Sequence, residues 1–90
     1  MKVVWVYFEQ LGKDDSGTNV DLRLFDNQPA LRKYVARRKK ELDECITDHT
    51  GINRLKLRHM SDTGDIKNIV AEMSKIIGLE IRVWLEEVVD

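Results

Sequence analysis

The chain has 90 residues, 42% hydrophobic and 34% charged, with five glycines and one proline. That balance suits one globular domain over residues 1–90 and excludes a disordered chain. The formal net charge of −1 conceals an uneven distribution: residues 27–60 hold nine basic groups against four acidic ones, and the rest hold six basic and twelve acidic. The single cysteine, Cys45, excludes an internal disulfide and the four-cysteine or two-cysteine zinc sites.

No apolar run approaches the ~20 residues that cross a bilayer. The opening Met1-Lys2-Val3-Val4-Trp5 leads into neither an apolar stretch of signal length nor a small-residue cleavage site. A lone thiol also fits a reducing compartment, so the expectation is a cytoplasmic protein with no membrane partner.

Val3 to Phe8 is a β-branched and aromatic run that predicts a strand, central in a sheet or covered on both faces. Residues 10–18 are rich in turn formers and predict a long hairpin loop. Val20 to Phe25 alternates, with Val20, Leu22 and Leu24 on the inward side and Asp21 and Arg23 on the other. Asn27, Gln28 and Pro29 signal a helix start, with Asn27 or Gln28 as cap and Pro29 at the first helical position. The helix that follows carries Leu31, Tyr34, Val35, Leu42, Cys45 and Ile46 at helical spacing and is expected to end near Thr47. Arg38 falls on the same stripe, its stem covering the core edge while the guanidinium reaches water.

Residues 52–60 alternate again and predict a strand, Leu55 and Leu57 inward, Arg54, Lys56 and Arg58 outward. Ser61 to Asp65 supplies caps for a second helix with a stripe of Ile66, Ile69, Val70, Met73, Ile76 and Ile77, stopped by Gly78. Leu79 to Val89 predicts the last strand, Leu79, Ile81, Val83 and Leu85 inward, Glu80, Arg82, Trp84 and Glu86 outward. The order ββαβαβ gives an α+β two-layer sandwich, a four-stranded and mainly antiparallel sheet with both helices on one face.

Four groups of residues invite a functional reading. The open sheet face is expected to carry Arg23, Arg54, Lys56, Arg58, Arg82 and Trp84, joined by either Trp5 and Tyr7 or Val4, Val6 and Phe8. An exposed tryptophan among arginines is the composition of a protein-binding hot spot. Cross-strand packing, or cover by a second copy in a homodimer, is the plainer account. The basic cluster on the first helix, Arg32, Lys33, Arg37 and Lys40, together with segment 54–58, offers a nucleic acid surface; a solvated helix flank is the plainer account. Cys45, Asp48, His49 and His59 lie near one another in sequence, but no oxyanion donor or further ligand accompanies them, so no catalytic, metal or cofactor site is expected. Asp14, Asp15, Glu80, Glu86, Glu87 and Asp90 could imitate a phosphate backbone, although such groups more often serve solubility. The glycines stand singly, so no phosphate-cradling loop is present.

Two segments carry a resemblance: Phe25-Asp26 feeding Ala30-Leu31-Arg32-Lys33-Tyr34-Val35, and the terminal Arg82-Val83-Trp84-Leu85-Glu86-Glu87-Val88. Together they resemble small orphan proteins encoded by phages and mobile elements, a class that includes anti-CRISPR and other anti-defence inhibitors. The resemblance implies a non-catalytic protein that occupies a surface of a larger host complex. The expectation is therefore a protein-binding module, with a small nucleic-acid-binding domain as the second reading.

Overall fold

The computed structural model describes residues 2–14, 17–44, 46 and 50–89, the side chains of 11–14 and 17–19 aside. Over these residues it is an α+β structure of three antiparallel strands and three helices. Strand β1 (Lys2–Asp14) is central, β2 (Gly17–Phe25) flanks it on one side and β3 (Glu80–Val88) on the other. Between β2 and β3 the chain forms α1 (Gln28–Asp43), α2 (Ile52–Arg58) and α3 (Ile66–Ile77). The order is thus ββαααβ, with three strands where the sequence pattern predicts four.

The difference lies in residues 52–60. Read as alternation, Leu55 and Leu57 share a side. The buried residues are instead Leu57 and Met60, which stand three apart, while Ile52 and Leu55 are each about half exposed. Three apart is helical spacing, and Leu, Lys and Arg favour helix over strand. Gly51, at φ 73°, supplies the left-handed backbone that turns the chain into α2. The helix packs on α1 and α3 rather than on the sheet.

Local signals place the other helices. The Asn27 side chain accepts a hydrogen bond from the Ala30 amide at 2.9 Å, capping α1, with Pro29 in its first turn. This helix ends at Asp43, a turn earlier than its apolar stripe predicts. Asp65 caps α3 by accepting from the Lys67 amide at 3.1 Å, and Gly78 ends it at φ 81°. Just beyond, the Ser74 hydroxyl donates to the Leu79 carbonyl at 2.5 Å and accepts from the Ile81 amide at 3.1 Å, tying α3 to the start of β3.

The helices lie on one side of the sheet, α1 over β1 and β2, α3 over β3. Tyr7, Leu31, Ile66, Val70, Met73 and Ile81 form the centre of the core between the layers. The hairpin is longer and tighter than its turn-rich sequence predicts: β1 and β2 stay paired out to Asp14 and Gly17, with a register irregularity between Gln10 and Gly12.

One charged side chain is completely buried in this core. Glu9 has no exposed surface. Its two oxygens receive the Arg38 guanidinium, Nε to Oε1 at 2.9 Å and Nη2 to Oε2 at 2.5 Å, and Oε1 also accepts from the Tyr7 hydroxyl at 2.5 Å. Arg38 therefore does not direct its guanidinium simply to water. It forks onto the carboxylate and uses Nη1 to reach Glu41 at 3.0 Å. Its charge is strengthened chiefly by the bond to Glu9, against the opposing effect of burial.

Breaking such a pair leaves an uncompensated buried charge. Arg38→Met should lower unfolding free energy by about 3 kcal/mol in denaturant titrations, the lower end for buried pairs because Arg38 remains 21% exposed. Adding Glu9→Leu to that variant should recover most of the loss, since no orphaned carboxylate remains.

The Tyr7 phenol is pushed far above its ordinary value of about 10, first by burial, then by its bond to Glu9 and the charge there. The unfolded chain thus ionises before the folded one, and stability that is whole below pH ~10 falls as pH rises past it. Tyr34 shifts the same way, through burial and then Asp21. Equilibrium unfolding at stepped alkaline pH should show this decline, and Tyr7→Phe should flatten it.

Candidate functional site

Register decides which side chains leave the helix layer. Trp5, Tyr7 and Glu9 of β1 point toward the helices, level with Phe25, Arg23 and Asp21 on β2 and with Leu85, Val83 and Ile81 on β3. The alternate residues therefore form the open face: Val4, Val6 and Phe8 on β1, Val20, Leu22 and Leu24 on β2, and Glu80, Arg82, Trp84 and Glu86 on β3.

Of the two sets of β1 residues the sequence allows on this face, it carries Val4, Val6 and Phe8. Arg82 and Trp84 lie where the pattern predicts. The β2 assignment is reversed. Val20, Leu22 and Leu24, read as inward, are 50%, 58% and 63% exposed on the open side. Arg23, read as outward, lies on the helix side with its guanidinium 5.1 Å from the centre of the Tyr34 ring. There it also bonds Asp21 at 3.2 Å, and Asp21 accepts from the Tyr34 hydroxyl at 2.9 Å. A tyrosine-bearing helix that offers partners to both charges holds them on the helix side, Arg23 still half exposed, and turns the leucines out. Leu85, also read as inward, is on the helix side but half exposed.

The centre of the face is a row across the sheet: Leu24, Val6 and Trp84 stand in direct register. Val6 is only 4% exposed because its two neighbours flank it. One step along, Phe8 pairs with Leu22 and Arg82. The Phe8 and Trp84 rings lie 6.5 Å apart, and the Arg82 guanidinium is 5.8 Å from the Phe8 ring centre. These three line a shallow cleft of about 140 Å³. Trp84 is fixed by a bond from its indole Nε1 to Glu86 at 2.9 Å, and Arg82 pairs with Glu80. The result is a flat apolar strip with one edge of ordered charge.

The remaining predicted partner residues are elsewhere. Arg54, Lys56 and Arg58 belong to α2, not to a strand, and do not join Arg82 and Trp84. Arg54 donates to the Asp43 carbonyl at 3.0 Å and Arg58 to the Asp43 carboxylate at 3.0 Å, so two of the three secure the end of α1. Arg32 bonds the carbonyls of Asp62 and Gly64, and Lys39 pairs with Asp62, holding the loop before α3. Lys33, Arg37 and Lys40 are exposed along one side of α1, where Arg37 pairs with Glu41 at 3.7 Å. The basic segment is therefore divided: Lys33, Arg37 and Lys40 share an exposed side of α1, while Arg32, Lys39, Arg54 and Arg58 are engaged in holding a loop and a helix end.

Cys45, Asp48 and His49 lie outside the described residues, as do Asp15, Asp90 and the side chain of Asp14; His59 is exposed at the end of α2. Among the described residues no group of three His, Cys, Asp or Glu could hold a metal ion, and no helix is long and apolar enough to cross a membrane. Comparison with protein-family models, curated proteins and solved structures finds no match to this chain.

Two features of the site escape the sequence pattern, the outward leucines of β2 and the buried Glu9. The second had a signal. Glu9 shares parity with Trp5 and Tyr7, and Arg38 sits on an apolar helix stripe, so each opposite charge occupies a core position.

If the strip is surface rather than core, its edge should tolerate charge. In dilute solution Leu22→Lys and Leu24→Lys should each shift stability by no more than about 0.5 kcal/mol, whereas Val6→Lys should cost several-fold more. Thermal or denaturant unfolding of the three variants makes the comparison.

Proposed function

We propose that this protein is a non-catalytic binding module that acts in the cytoplasm by seating the open face of its sheet on another protein surface. The observation that carries this reading is the apolar side of the sheet that faces away from the helices, where Leu22 and Leu24 are exposed, Phe8 and Trp84 half-buried, and Val6 buried between its neighbours. Small proteins seldom expose a contiguous apolar strip without a use for it. Trp84 is the anchor and Arg82 the orienting charge, an aromatic and an arginine side by side along one edge of the patch. The resemblance to phage- and mobile-element-encoded inhibitors supports a more specific form: occlusion of a surface on a host defence or nucleic-acid-processing complex, with no reaction and no cofactor.

Protein is favoured over nucleic acid because Arg32, Arg54 and Arg58 are engaged in holding loops and helix ends. The acidic Glu41 also interrupts the exposed cations of α1. Phosphate binding needs cations free to displace counterions along one surface.

The test is affinity capture from cells of the native host, identification of the captured protein by mass spectrometry, and titration of the purified pair. Trp84→Ala should weaken binding by at least about tenfold, with the circular dichroism unchanged. A captured partner that binds Trp84→Ala and Leu24→Lys as tightly as the native chain would refute the assignment. So would a gel shift of nucleic acid with a steep salt slope and no protein partner.

A further inference from the structure

The open face also has a symmetry in its charges. On β3 the outward residues run Glu80, Arg82, Trp84, Glu86, so a base and an acid stand two residues to either side of the tryptophan. Trp84 is level with Val6 at the centre of the sheet and, through it, with Leu24. We infer that the open face takes a second copy of this chain, packed face to face about a two-fold axis that crosses the three strands at the Leu24, Val6 and Trp84 row. The inference rests on the reading of this face as a binding surface and names its occupant.

The geometry follows from register. A two-fold axis across the strands lays β3 on β3 and β2 on β2, each pair running in opposite directions. Residues equally far from the row then meet: Arg82 of each copy faces Glu86 of the other, and Phe8 faces Val4. Trp84, Val6 and Leu24 each meet their own counterparts at the axis. Two ion pairs close the β3 edge, Leu22 meets Asp26 at the β2 edge, and no like charges come together among these residues. The other face-to-face two-fold runs along the strands. It would set Leu22 over Arg82 and bring Glu86 level with Asp26 of the other copy, leaving one charge against an aliphatic side chain and setting two carboxylates together, a costly arrangement. Charge therefore selects the crossing axis. Aligned sheets pack within about 30° of each other, which leaves the paired positions in reach.

Arg82 now pairs with Glu80, and Glu86 accepts from the Trp84 indole. Both charges thus already stand beside the aromatic at the site they would share, and pairing between copies exchanges one exposed contact for another. Three strands about 4.8 Å apart and about nine residues long at ~3.3 Å each give a footprint on the order of 400 Å² per copy. That is about 800 Å² in total, below the range of stable interfaces and within that of weak, transient ones, so the dimer should form at micromolar concentration or above rather than permanently.

Sedimentation velocity across the micromolar range tests this on the intact chain. The native protein should pass from monomer to dimer as its concentration rises. Arg82→Glu or Glu86→Arg alone should raise the dissociation constant by at least about tenfold, because each places like charges opposite one another. The two changes together should restore the native constant, since the pair is re-formed in reverse. Circular dichroism of all three confirms folding. A native chain that stays monomeric throughout overturns the inference. So does a dimer indifferent to the single reversals, or a double reversal no tighter than either single one. A monomeric chain whose captured host protein is lost on Trp84→Ala sinks self-association and leaves the binding-module reading standing.

Discussion

A carboxylate without water decides how this fold is put together. Glu9 lies in the middle of the central strand with no exposed surface, and an isolated ion in that setting is far too costly to persist. It persists because Arg38 delivers two bonds from α1 and Tyr7 a third from its own strand. These partners fix the height and rotation of α1 over β1 more sharply than apolar contact can, because a bidentate fork tolerates little displacement. The Tyr7 ring then meets Tyr34 edge to face at 4.9 Å, and Tyr34 in turn holds Asp21 and Arg23 of β2. A polar network thus runs from the centre of the sheet to its edge, under one helix.

The open face is a consequence of that network. Once Asp21 and Arg23 find their partners beside Tyr34 of α1, the alternation of β2 obliges Val20, Leu22 and Leu24 to point away from the helices. The strand places its charges toward the helix layer and its leucines toward water, contrary to the usual sense of amphipathic strands. Phe8 and Trp84 complete the strip on the neighbouring strands. The open apolar face and the buried ion pair are therefore two sides of one arrangement.

The same economy explains the basic segment. Nine cations between residues 27 and 60 resemble a polyanion site in one dimension, but folding spends most of them locally. Arg38 enters the core, Arg32 and Lys39 hold the loop before α3, and Arg54 and Arg58 close the end of α1. Their acidic partners are Glu9 of β1, Glu41 and Asp43 of α1 and Asp62 of the loop before α3, which is why charge unbalanced along the sequence becomes interleaved in space.

The sequence by itself determined the elements whose apolar spacing admits one reading: the stripe of α3 from Ile66 to Met73, begun after Ser61–Asp65 and stopped by Gly78, the start of α1 around Asn27 to Pro29, and the outward set of β3 that includes Arg82 and Trp84. It also determined that helices would cover one side of a β layer. Tertiary structure alone decided the rest. In residues 52–60 leucines at 55 and 57 mimic alternation, and only contact with α1 and α3 selects the helical pair Leu57 and Met60. In β2 the apolar side was legible but its direction was not. A strand of period two has no intrinsic inside; the partners available across the layer choose one, and here two charges matched to a tyrosine outweighed three aliphatic side chains.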